Sequence, residues 1–456
     1  MMDAGSRVDM LLGDPKKAIV AMSLPIIASL VVAELNAIVD RAWCSGMGVE
    51  ALAAISVIRP IYCVYVGLGS GLGVGVAAVI SRYIGAGNPE KASSSAVQAV
   101  LLGIVIGLIL APVIFLIQPG LLDVIGSSDI NEITLSYMTC FTVCLPLIIV
   151  NGTIGGVLNG QGAAGLSTAM MVSQAVANMI LDPIFIYVLG LGLTGASAAT
   201  MVSTALSLAM GLYFVLGRRT YLKIGRGSLG YDSGNMRAVS KAGLPQMLEF
   251  AVIYAMDCVL NMIIISCAGS EGLTVYSMPD SIVALMIVPG LAVESALVAV
   301  ASSAYGQRDP DRMQEAFFFA MKFGIGIVLA LLVVVELLPG VFISVFTYSD
   351  AMSVYRPQMI EALRIMALYA PLFSITPICS AYLQSMKHPG YSVVIAIVRN
   401  LIMIGMYLIG SLISLVAIMW LLDLAHLIGA LIIIAVTAVT FRNVRSMFGS
   451  GQLSGV

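Results

Sequence analysis

Residues 174–200 read QAVANMILDPIFIYVLGLGLTGASAAT and place one acid, Asp182, inside an otherwise apolar run. Asn178 stands one helical turn before it, so the two side chains share a helix face. Pro183 follows directly and has no backbone N–H, which predicts a bend in the helix beside the acid. A carboxylate in a bilayer interior costs about 2.5–3.5 kcal/mol on insertion scales. The stretch therefore predicts a membrane-spanning helix that carries an acid for a purpose other than stability.

The same spacing occurs near the start of the chain, where Asn36 precedes Asp40 by one helical turn inside another apolar run. If the two helices face each other, the carboxyl groups of Asp40 and Asp182 titrate as one unit, and the pair can hold one proton or one Na⁺. The side-chain oxygens of Asn178 and Thr200 add neutral ligands that suit a hard cation. These residues are therefore predicted to form a cation-binding site.

The composition is that of an integral membrane protein. Of the 456 residues, 60% are hydrophobic and 10% are charged, and the mean hydropathy is +1.03. About a quarter of the residues of a soluble domain are charged. The net charge of −2, without a basic cluster, argues against nucleic acid as a partner. Segments long enough to cross about 30 Å of hydrocarbon number twelve: 17–43, 51–81, 92–117, 131–157, 164–190, 193–216, 241–267, 272–304, 313–337, 353–385, 391–413 and 415–440.

The loops predict the orientation of these helices. Lysine and arginine concentrate in alternate loops and in both tails, whereas the opposite loops hold only Arg41 and Arg356. By the positive-inside rule both termini are cytoplasmic, which agrees with an even number of spans. The longest polar loop follows the sixth helix. We therefore predict a first lobe over 1–216, a cytoplasmic linker over 217–240 and a second lobe over 241–456.

Short motifs recur between the two halves. The motifs of the second half follow those of the first at a nearly constant offset, and the pairs are Leu24-Pro25 with Leu244-Pro245, Gly85-Ala-Gly-Asn-Pro-Glu-Lys91 with Gly306-Gln-Arg-Asp-Pro-Asp-Arg312, and Ser128-Asp129 with Ser349-Asp350. Because six helices and an inside linker separate the halves, the repeats run parallel, and their pseudo-two-fold axis follows the membrane normal. The sequence thus predicts an all-α membrane protein of two six-helix bundles, with a substrate path between them.

The second predicted helix carries glycine at every second position from Gly67 to Gly75. No strand precedes this run and no Walker lysine follows it, so it is not a phosphate-binding loop. Small residues let helix backbones approach closely, so we predict tight packing and bending at this helix.

Four motifs follow one another along the first half: Asn36-x-x-x-Asp40, Gly48-Val-Glu-Ala-Leu-Ala-Ala54, Gly85-x-Gly-Asn-Pro-Glu-Lys91 and Asn178-x-x-x-Asp182-Pro183. Their order and spacing, together with the twelve-helix repeat, resemble the multidrug and toxic compound extrusion (MATE) family of secondary transporters. The pattern is most similar to the prokaryotic DinF-like branch of that family, and the resemblance covers nearly the whole chain. Glu34, Arg41 and Arg59 depart from the family pattern, and these departures bear on substrate preference.

The resemblance implies a secondary active antiporter that exports amphipathic or cationic organic compounds, such as drugs and toxins, by alternating access. It implies a coupling cation, H⁺ or Na⁺, and no other cofactor. The residues that it assigns to the cation site and its cavity are Asp40, Asn178, Asp182, Thr200, Asn36 and Tyr137. We expect a monomer in the plasma (inner) membrane, with small organic compounds and the lipid bilayer as its partners.

Two alternatives to an exporter remain at this point. A lipid or lipid-linked glycan flippase of the same superfamily would favour fourteen helices and a strongly basic central cavity. A membrane enzyme would need a nucleophile with its base, or a metal cluster near the interface, and the sequence offers neither. We therefore predict an exporter, keep the flippase as the alternative, and do not expect an enzyme.

The second half does not repeat the acid pair. Leu260 stands at the position equivalent to Asp40, and the seventh helix carries Glu249 and Asp257 instead. Coupling is therefore expected to be centred on the first lobe, with Asp257 as a candidate secondary site. The residues predicted to line the substrate cleft are Glu34, Asp257 and Met256.

Arg59 on the second helix and Asp280 on the eighth occupy equivalent positions of the repeat, at the same offset as Gly85 and Gly306. A pseudo-two-fold axis brings equivalent helix faces toward each other. We therefore predict an ion pair between the lobes that forms in one access state and separates in the other.

Overall fold

The computed structural model describes residues 3–47, 49–125, 131–217, 219–225, 228, 230–347 and 350–449. Every regular element in these ranges is a helix. The first half contains α1 (Ala4–Leu12), α2 (Pro15–Ser45), α3 (Val49–Gly85), α4 (Pro89–Ile125), α5 (Asn131–Val143), α6 (Leu145–Asn159), α7 (Ala164–Pro183), a π-helical turn (Ile184–Val188) and α8 (Gly192–Leu216). The second half contains α9 (Ser233–Gly306), α10 (Pro310–Leu337), α11 (Pro339–Ser344), α12 (Asp350–Ser353), α13 (Arg356–Ala367), α14 (Tyr369–Ser385), α15 (Pro389–Ser411) and α16 (Leu415–Gly449).

The described helices provide twelve membrane spans. Eleven are long and apolar enough to cross on their own, and α5 with α6 forms a further span that is bent by 50°. The two arms of α9 are separate spans, because Gly269 adopts φ 67° and breaks the helix. Pro146 explains the bend: it lies in the first turn of α6, where a missing N–H costs no hydrogen bond, and it cannot continue α5. The predicted all-α, twelve-span architecture is confirmed.

The break before Pro146 recurs in the second half. There α13 ends at Ala367 and α14 begins at Tyr369, with Pro371 in its first turn. The offset from Pro146 to Pro371 exceeds the offset from Gly85 to Gly306 by four positions. The two halves therefore share their helix breaks as well as their motifs, and the second half is about one helical turn longer between these points.

Four loops at one end of the bundle terminate their helices in the same way. In each, a backbone N–H bonds the carbonyl five residues earlier, as in a Schellman cap, and the pairs are Asn88–Tyr83, Ala163–Leu158, Asp309–Ala304 and His388–Leu383. The residues that take the left-handed backbone at these turns are Gly87, Gly162, Arg308 and Lys387. The first half thus uses glycine, where the second half accepts a strained side chain. Because α1 lies at the same end, we call this end the N-terminal face.

The alternating glycines of α3 serve two helix contacts. They form two sets with a spacing of one helical turn, Gly67, Gly71 and Gly75 in one set and Gly69 and Gly73 in the other. The first set faces the first arm of α9, where a Cβ added at Gly71 would lie 2.6 Å from the Met247 backbone. The second set faces α6, where a Cβ added at Gly73 would lie 2.5 Å from Gly152 O. One helix therefore packs tightly against its own half and against the other half, as the sequence predicts.

The N-terminal face is closed by a symmetric contact between α3 and the second arm of α9. A Cβ added at Gly85 would overlap Ser303 O, and one added at Gly306 would overlap Arg82 O. Ser303 follows Arg82 at the same offset as Gly306 follows Gly85, so the contact obeys the repeat. The buried Arg82 guanidinium lies 5.4 Å from the centroid of the Tyr305 ring and fills the remaining space.

Helix α2 belongs to both halves. Its first part is buried in an apolar cluster with α9, α10 and α14, and Lys16 forms an ion pair with Glu315 at 2.9 Å. Beyond Pro25, the helix packs against α7 of the first half. A movement of α2 relative to α7 therefore also changes its contacts with the second half.

The short helix α1 lies across the N-terminal face and also contacts both halves. Val8 is buried in the core of the first half, whereas Leu11 is buried against the second. The Leu11 carbonyl accepts a hydrogen bond from Arg312 Nη2 of α10 at 2.6 Å. On the other side, Arg7 Nη1 donates to Arg219 O at 3.2 Å.

The segment between the halves is partly helical. Helix α8 ends at Leu216, the predicted end of the first lobe, but α9 begins at Ser233, inside the predicted linker. In the same segment, Leu222 donates its N–H to Gln161 Oε1 at 3.0 Å. The division at 217–240 stays a prediction. Some residues of the motifs above lie outside the described ranges, namely Gly48, Ser128, Asp129 and Ser349, and so do the side chains of Arg41, Val49, Glu50, Leu52, Ala53 and Asp350.

Candidate functional site

Asn178 of α7 joins three helices. Its carbonyl oxygen accepts a hydrogen bond from Asn36 Nδ2 of α2 at 2.9 Å, and its amide nitrogen donates to Asp182 Oδ1 at 2.7 Å. The same nitrogen lies 3.4 Å from Thr200 Oγ1 of α8. The structure therefore brings together the polar residues that the sequence places in one cation site.

Asp40 and Asp182 complete this group. Their carboxyl groups lie next to each other across the contact between α2 and α7. Asp182 is 0% exposed, and its Oδ2 accepts no donor from the described part of the chain. Two ionised carboxylates cannot hydrogen-bond, because neither carries a proton. Two neighbouring carboxyl groups of this kind titrate as a unit, because ionising both would place two like charges side by side in a medium of low dielectric.

The backbone changes form directly after Asp182. Helix α7 ends at Pro183 and continues as the π-helical turn Ile184–Val188, because proline leaves one carbonyl of the preceding turn without its donor. Tyr187 of this turn donates its hydroxyl to Trp43 O near the end of α2. This hydrogen bond ties the end of α2 to the segment that follows the acid. The backbone thus changes form beside Pro183, whereas the predicted bend of the helix stays a prediction.

Two more side chains lie against the acid pair. Tyr137 of α5 is buried with its ring edge-on to Phe141 at 5.0 Å, within electrostatic range of Asp40 and Asp182. Cys44 Sγ donates to Asp40 Oδ1 at 3.9 Å, one helical turn further along α2. The sequence argument places Tyr137 here but not Cys44, for which the only signal is its spacing of four residues from Asp40.

A polar chain continues from the site along α7. Gln174 Nε2 donates to Thr204 Oγ1 of α8 at 3.0 Å, and Gln174 Oε1 accepts from Asn151 Nδ2 of α6 at 3.1 Å. These residues are missed from sequence, although Gln174 continues the four-residue spacing of Asn178 and Asp182. They hold three helices of the first half around the acid pair.

In the second half, the candidate residues are dispersed. Leu260 is buried, and both carboxylate oxygens of Glu249 accept from Ser380 Oγ at 3.1 Å. Asp257 is exposed, whereas Met256 is 7% exposed and packs in the apolar core. Adjacent helix positions point about 100° apart, so Met256 turns away from the side on which Asp257 lies. Met256 therefore does not line an open cleft in this conformation, contrary to the prediction.

Arg59 and Asp280 are close enough to interact but are not paired. Arg59 is exposed and Glu34 of α2 is half-buried, as befits residues at a cleft. Asp280 Oδ1 accepts a hydrogen bond from Tyr369 OH at 3.0 Å. Among the described residues no ion pair within 4.0 Å joins Arg59 to Asp280, although their charges act on each other. The pair is open here, and its closure in the other access state stays a prediction.

The chain resembles known transporters over both halves. The family model described as MatE matches residues 25–184 and 245–409. The chain is similar to the FAD transporter of Shewanella oneidensis, with 23% identity over 312 residues, 67% of this chain and 69% of that protein. It is also similar to the multidrug export protein MepA of Staphylococcus aureus, with 26% identity over 46% of this chain and 47% of that protein. The chain thus matches about half the length of the MepA proteins.

The fold agrees with a solved structure. The chain superposes with a TM-score of 0.90 and 28% identity on the outward-facing conformation of a multidrug resistance MATE family transporter of the MOP superfamily, over 96% of this chain and 98% of that chain. The twelve spans form two repeated halves, and the first half encloses an acid pair. These features define a multi-pass membrane transporter rather than an enzyme. The family match extends over more than half of the chain, so this protein belongs to the MATE family of transporters.

Proposed function

We propose that this protein is a proton-coupled antiporter that exports organic compounds by alternating access. The observation that carries the proposal is the closeness of the carboxyl groups of Asp40 and buried Asp182 inside the membrane. An empty, doubly ionised pair is unfavourable there because two like charges repel in a medium of low dielectric. Binding one proton removes that penalty. The two states of the pair therefore favour different distances between α2 and α7.

The same helix carries the change to the other half. The first part of α2 is buried against α9 and α10, and Lys16 is paired with Glu315. When the acid pair loses its proton and α2 shifts against α7, these contacts shift as well. The pair thus biases the equilibrium between two access states, as coupling requires.

The conformation described here is the outward-facing one in this proposal. The N-terminal face is closed by the glycine contacts of Gly85 and Gly306 and by Arg82. The loops at this face are rich in lysine and arginine, and by the positive-inside rule this supports a cytoplasmic position for the face and for both termini. The protein then lies in the plasma membrane, as a monomer, with the cleft of Arg59 and Asp257 open to the outside.

The proton is favoured over Na⁺ as the coupling ion. A shared proton fits between two carboxyl groups that already lie side by side, whereas a metal ion would have to push them apart. Within the described ranges, no three residues among His, Cys, Asp and Glu come together as a metal site. Na⁺, held by Asp40, Asp182, Asn178 and Thr200, remains the alternative outcome of the experiment below.

The cleft favours organic cations as cargo. The acids of the cleft are Glu34, Asp257 and Asp280. The guanidinium groups that act on them among the described residues are Arg59 and Arg399, so the balance of charge is negative. The relative MepA is a multidrug export protein. A flippase for lipids or lipid-linked glycans stays the alternative, and a large anionic cargo such as a flavin dinucleotide, which the relative from Shewanella transports by its name, would require a basic cleft.

The available driving force sets what one proton can do. At about 100 mV, one inward charge yields roughly 2.3 kcal/mol, and a tenfold ion gradient adds about 1.4 kcal/mol. Together these sustain roughly a 500-fold gradient of a neutral compound. Exchange of one proton for one monovalent organic cation is electroneutral, so only the tenfold chemical part would remain.

The test is efflux from proteoliposomes that contain the purified protein and ethidium as the cargo. We expect an imposed pH gradient to drive transport and an imposed Na⁺ gradient to leave it at the passive rate. Asp182→Asn should abolish gradient-driven transport, whereas Glu90→Gln, an exposed acid at the start of α4, should behave as the wild type. Fully driven efflux by Asp182→Asn refutes the site, and efflux driven by Na⁺ alone refutes the proton. Scrambling of a fluorescent lipid without either gradient would favour the flippase.

A further inference from the structure

Asp423 of α16 is a buried acid that the mechanism above does not use. The residue is 8% exposed, and neither of its carboxylate oxygens has a hydrogen-bond partner in the described part of the chain. Helix α16 begins at Leu415, and at 1.5 Å of rise per residue Asp423 lies about 12 Å from that end of the helix. It therefore lies well inside the membrane. An ionised carboxylate in this position is costly unless a cation or a donor compensates its charge.

Asp423 lies close to a cluster of polar residues in the second half. Tyr276 on the second arm of α9 is within electrostatic range of Asp423 and also of Asp257 and Asp280. His426 stands three residues further along α16, on the same helix face. The titratable groups linked to these residues are Tyr369 on α14 and Arg399 and Tyr407 on α15. Because Asp423 is buried, its carboxylate faces protein rather than lipid.

The single guanidinium of the cluster does not compensate Asp423. Arg399 acts first on Glu249 and also on Asp257. Its stem is held in place by Gly429, where an added Cβ would lie 2.8 Å from Arg399 Cδ. Glu249 and Asp280 have hydroxyl donors in addition, whereas Asp423 has none among the described residues. It is thus a buried acid that neither a hydroxyl donor nor this guanidinium compensates.

A path leads from Asp423 toward the cleft. His426, one helical turn further along α16, donates from Nδ1 to Leu422 O at 2.9 Å, because a carbonyl oxygen can only accept. Its other nitrogen, Nε2, is then left to accept a proton. The imidazole stacks on Tyr369 at 4.8 Å, and the Tyr369 hydroxyl donates to Asp280.

Asp280 connects this path to the other half. Its charge interacts with Arg59 and Glu34, the cleft residues of α3 and α2. The contacts of His426 with Tyr369 and of Tyr369 with Asp280 thus form a path for protons between the cleft and the surroundings of Asp423. A metal ion would need several charged ligands at one point, and within the described residues no such group of His, Cys, Asp and Glu occurs. A proton is the cation that fits.

We propose that Asp423 is a second proton-binding site of the transporter, in the half that lacks the acid pair, with His426, Tyr369 and Asp280 linking it to the cleft. The carboxylate binds one H⁺ from water in one access state and releases the same H⁺ to water on the opposite side of the membrane in the other access state. No other bond changes. This inference rests on the proposed proton-coupled export. It implies two protons per cargo molecule, one at the Asp40–Asp182 pair and one at Asp423.

A second proton changes what the transporter can accumulate. Two protons exchanged for one monovalent organic cation move one net charge, so the membrane potential contributes and the proton gradient counts twice. Steep export of cations then becomes possible, which one-for-one exchange does not allow.

The test measures the final ratio of ethidium concentrations on the two sides of the membrane, at which net transport stops. It uses proteoliposomes with the membrane potential held at zero and a pH difference of about one unit. Because each proton contributes a factor of about ten under these conditions, we expect a final ethidium ratio of about 100 for the wild type and about 10 for Asp423→Asn. Asp423→Glu, which keeps the carboxyl group, should retain about 100.

A wild-type ratio of about 10, or an unchanged ratio in Asp423→Asn, overturns the second site and leaves the proposed function standing. No gradient-driven accumulation by the wild type would instead refute the proposed function. If Asp423→Asn does not fold, the wild-type ratio alone decides between one proton and two. Ser266→Ala, a lipid-side change whose hydroxyl donates only to Ile263 O of its own helix, is the control for a loss of fold or of reconstitution.

Discussion

Replacing Gly71 by alanine should shift the protein out of the conformation described here. The added Cβ would lie 2.6 Å from the Cα and N atoms of Met247, whereas carbon atoms in contact prefer about 3.5–4.0 Å. Both atoms belong to the backbone, so a side-chain rotation cannot relieve the overlap. Helix α3 and the first arm of α9 must therefore separate by about 1 Å.

The expected magnitude follows from the cost of overpacking, about 1–3 kcal/mol. If only this access state contains the contact between α3 and α9, the ratio of the two states shifts by roughly 5- to 150-fold. A protein that is mostly closed at the N-terminal face would then populate the open form to a measurable extent.

The assay is the distance between spin labels at Glu90→Cys and Gly390→Cys, two exposed positions at the N-terminal face, one in each half. The seven native cysteines are first replaced by alanine or serine. We expect Gly71→Ala to add a population at longer distance. Gly326→Ala, where an added Cβ meets nothing within 4 Å, should leave the distribution unchanged.

A further variant separates a change of state from a loss of stability. Gly73→Ala brings a Cβ to 2.5 Å from Gly152 O inside the same half, so it should lower the unfolding temperature without adding the long-distance population. If Gly71→Ala and Gly73→Ala give the same distance distribution, the assignment of the two glycine faces to two different contacts is wrong.

Three more changes test other parts of the structure. Ser380→Ala removes both hydrogen bonds of buried Glu249 and should lower the free energy of unfolding by about 1–3 kcal/mol, measured by thermal unfolding in detergent. Burial and the nearby guanidinium of Arg82 lower the pKa of Lys387 to about 8, so its charge is unfavourable at neutral pH and disappears above that value. Because the pKa of a freely exposed lysine is 10.5, the closed N-terminal face should gain population as the pH rises from about 8 to 10.5, and Lys387→Gln should abolish this dependence in the spin-label distances. Arg312→Gln removes the donor that holds α1 and should speed hydrogen exchange of the α1 amides at least tenfold, a cost of about 1.4 kcal/mol.

Each of these changes has a matched comparison. Ser266→Ala should leave thermal unfolding unchanged, because its hydroxyl bonds only its own helix. Lys91→Gln, at an exposed lysine of the same face, should preserve the pH dependence. Equal exchange rates for α1 in Arg312→Gln and the wild type would contradict the role given to that guanidinium.

The sequence predicts the spans and the acid site because both depend on local rules. A bilayer admits only apolar helices of about 20 residues, so the twelve segments can be read from hydropathy. The spacing of Asn178 and Asp182 fixes one helix face, and Pro183 fixes the change of backbone after it. The recurrence of this pattern at Asp40 gives the second helix of the site without any knowledge of packing.

What the sequence does not predict are the contacts that depend on which helix faces which. Inside a membrane both the lipid-facing side and the packed side of a helix are apolar. Hydropathy therefore does not predict that Met256 packs in the core. Arg308 and Lys387 take the left-handed backbone that the first half reserves for glycine, and a lysine or arginine gives no signal for that turn. The contact of Gln174 with Thr204 likewise depends on the angle between two helices.

The position of α1 has a practical side for anyone who handles this transporter. The helix begins at Ala4, is anchored at Leu11 by Arg312, and lies directly across the seam between the halves. A bulky fusion placed directly before Asp3 would press on that seam, so affinity tags belong at the other terminus or behind a long flexible spacer. The same sensitivity makes this position suitable for a small fluorescent reporter, whose signal would change as the seam opens.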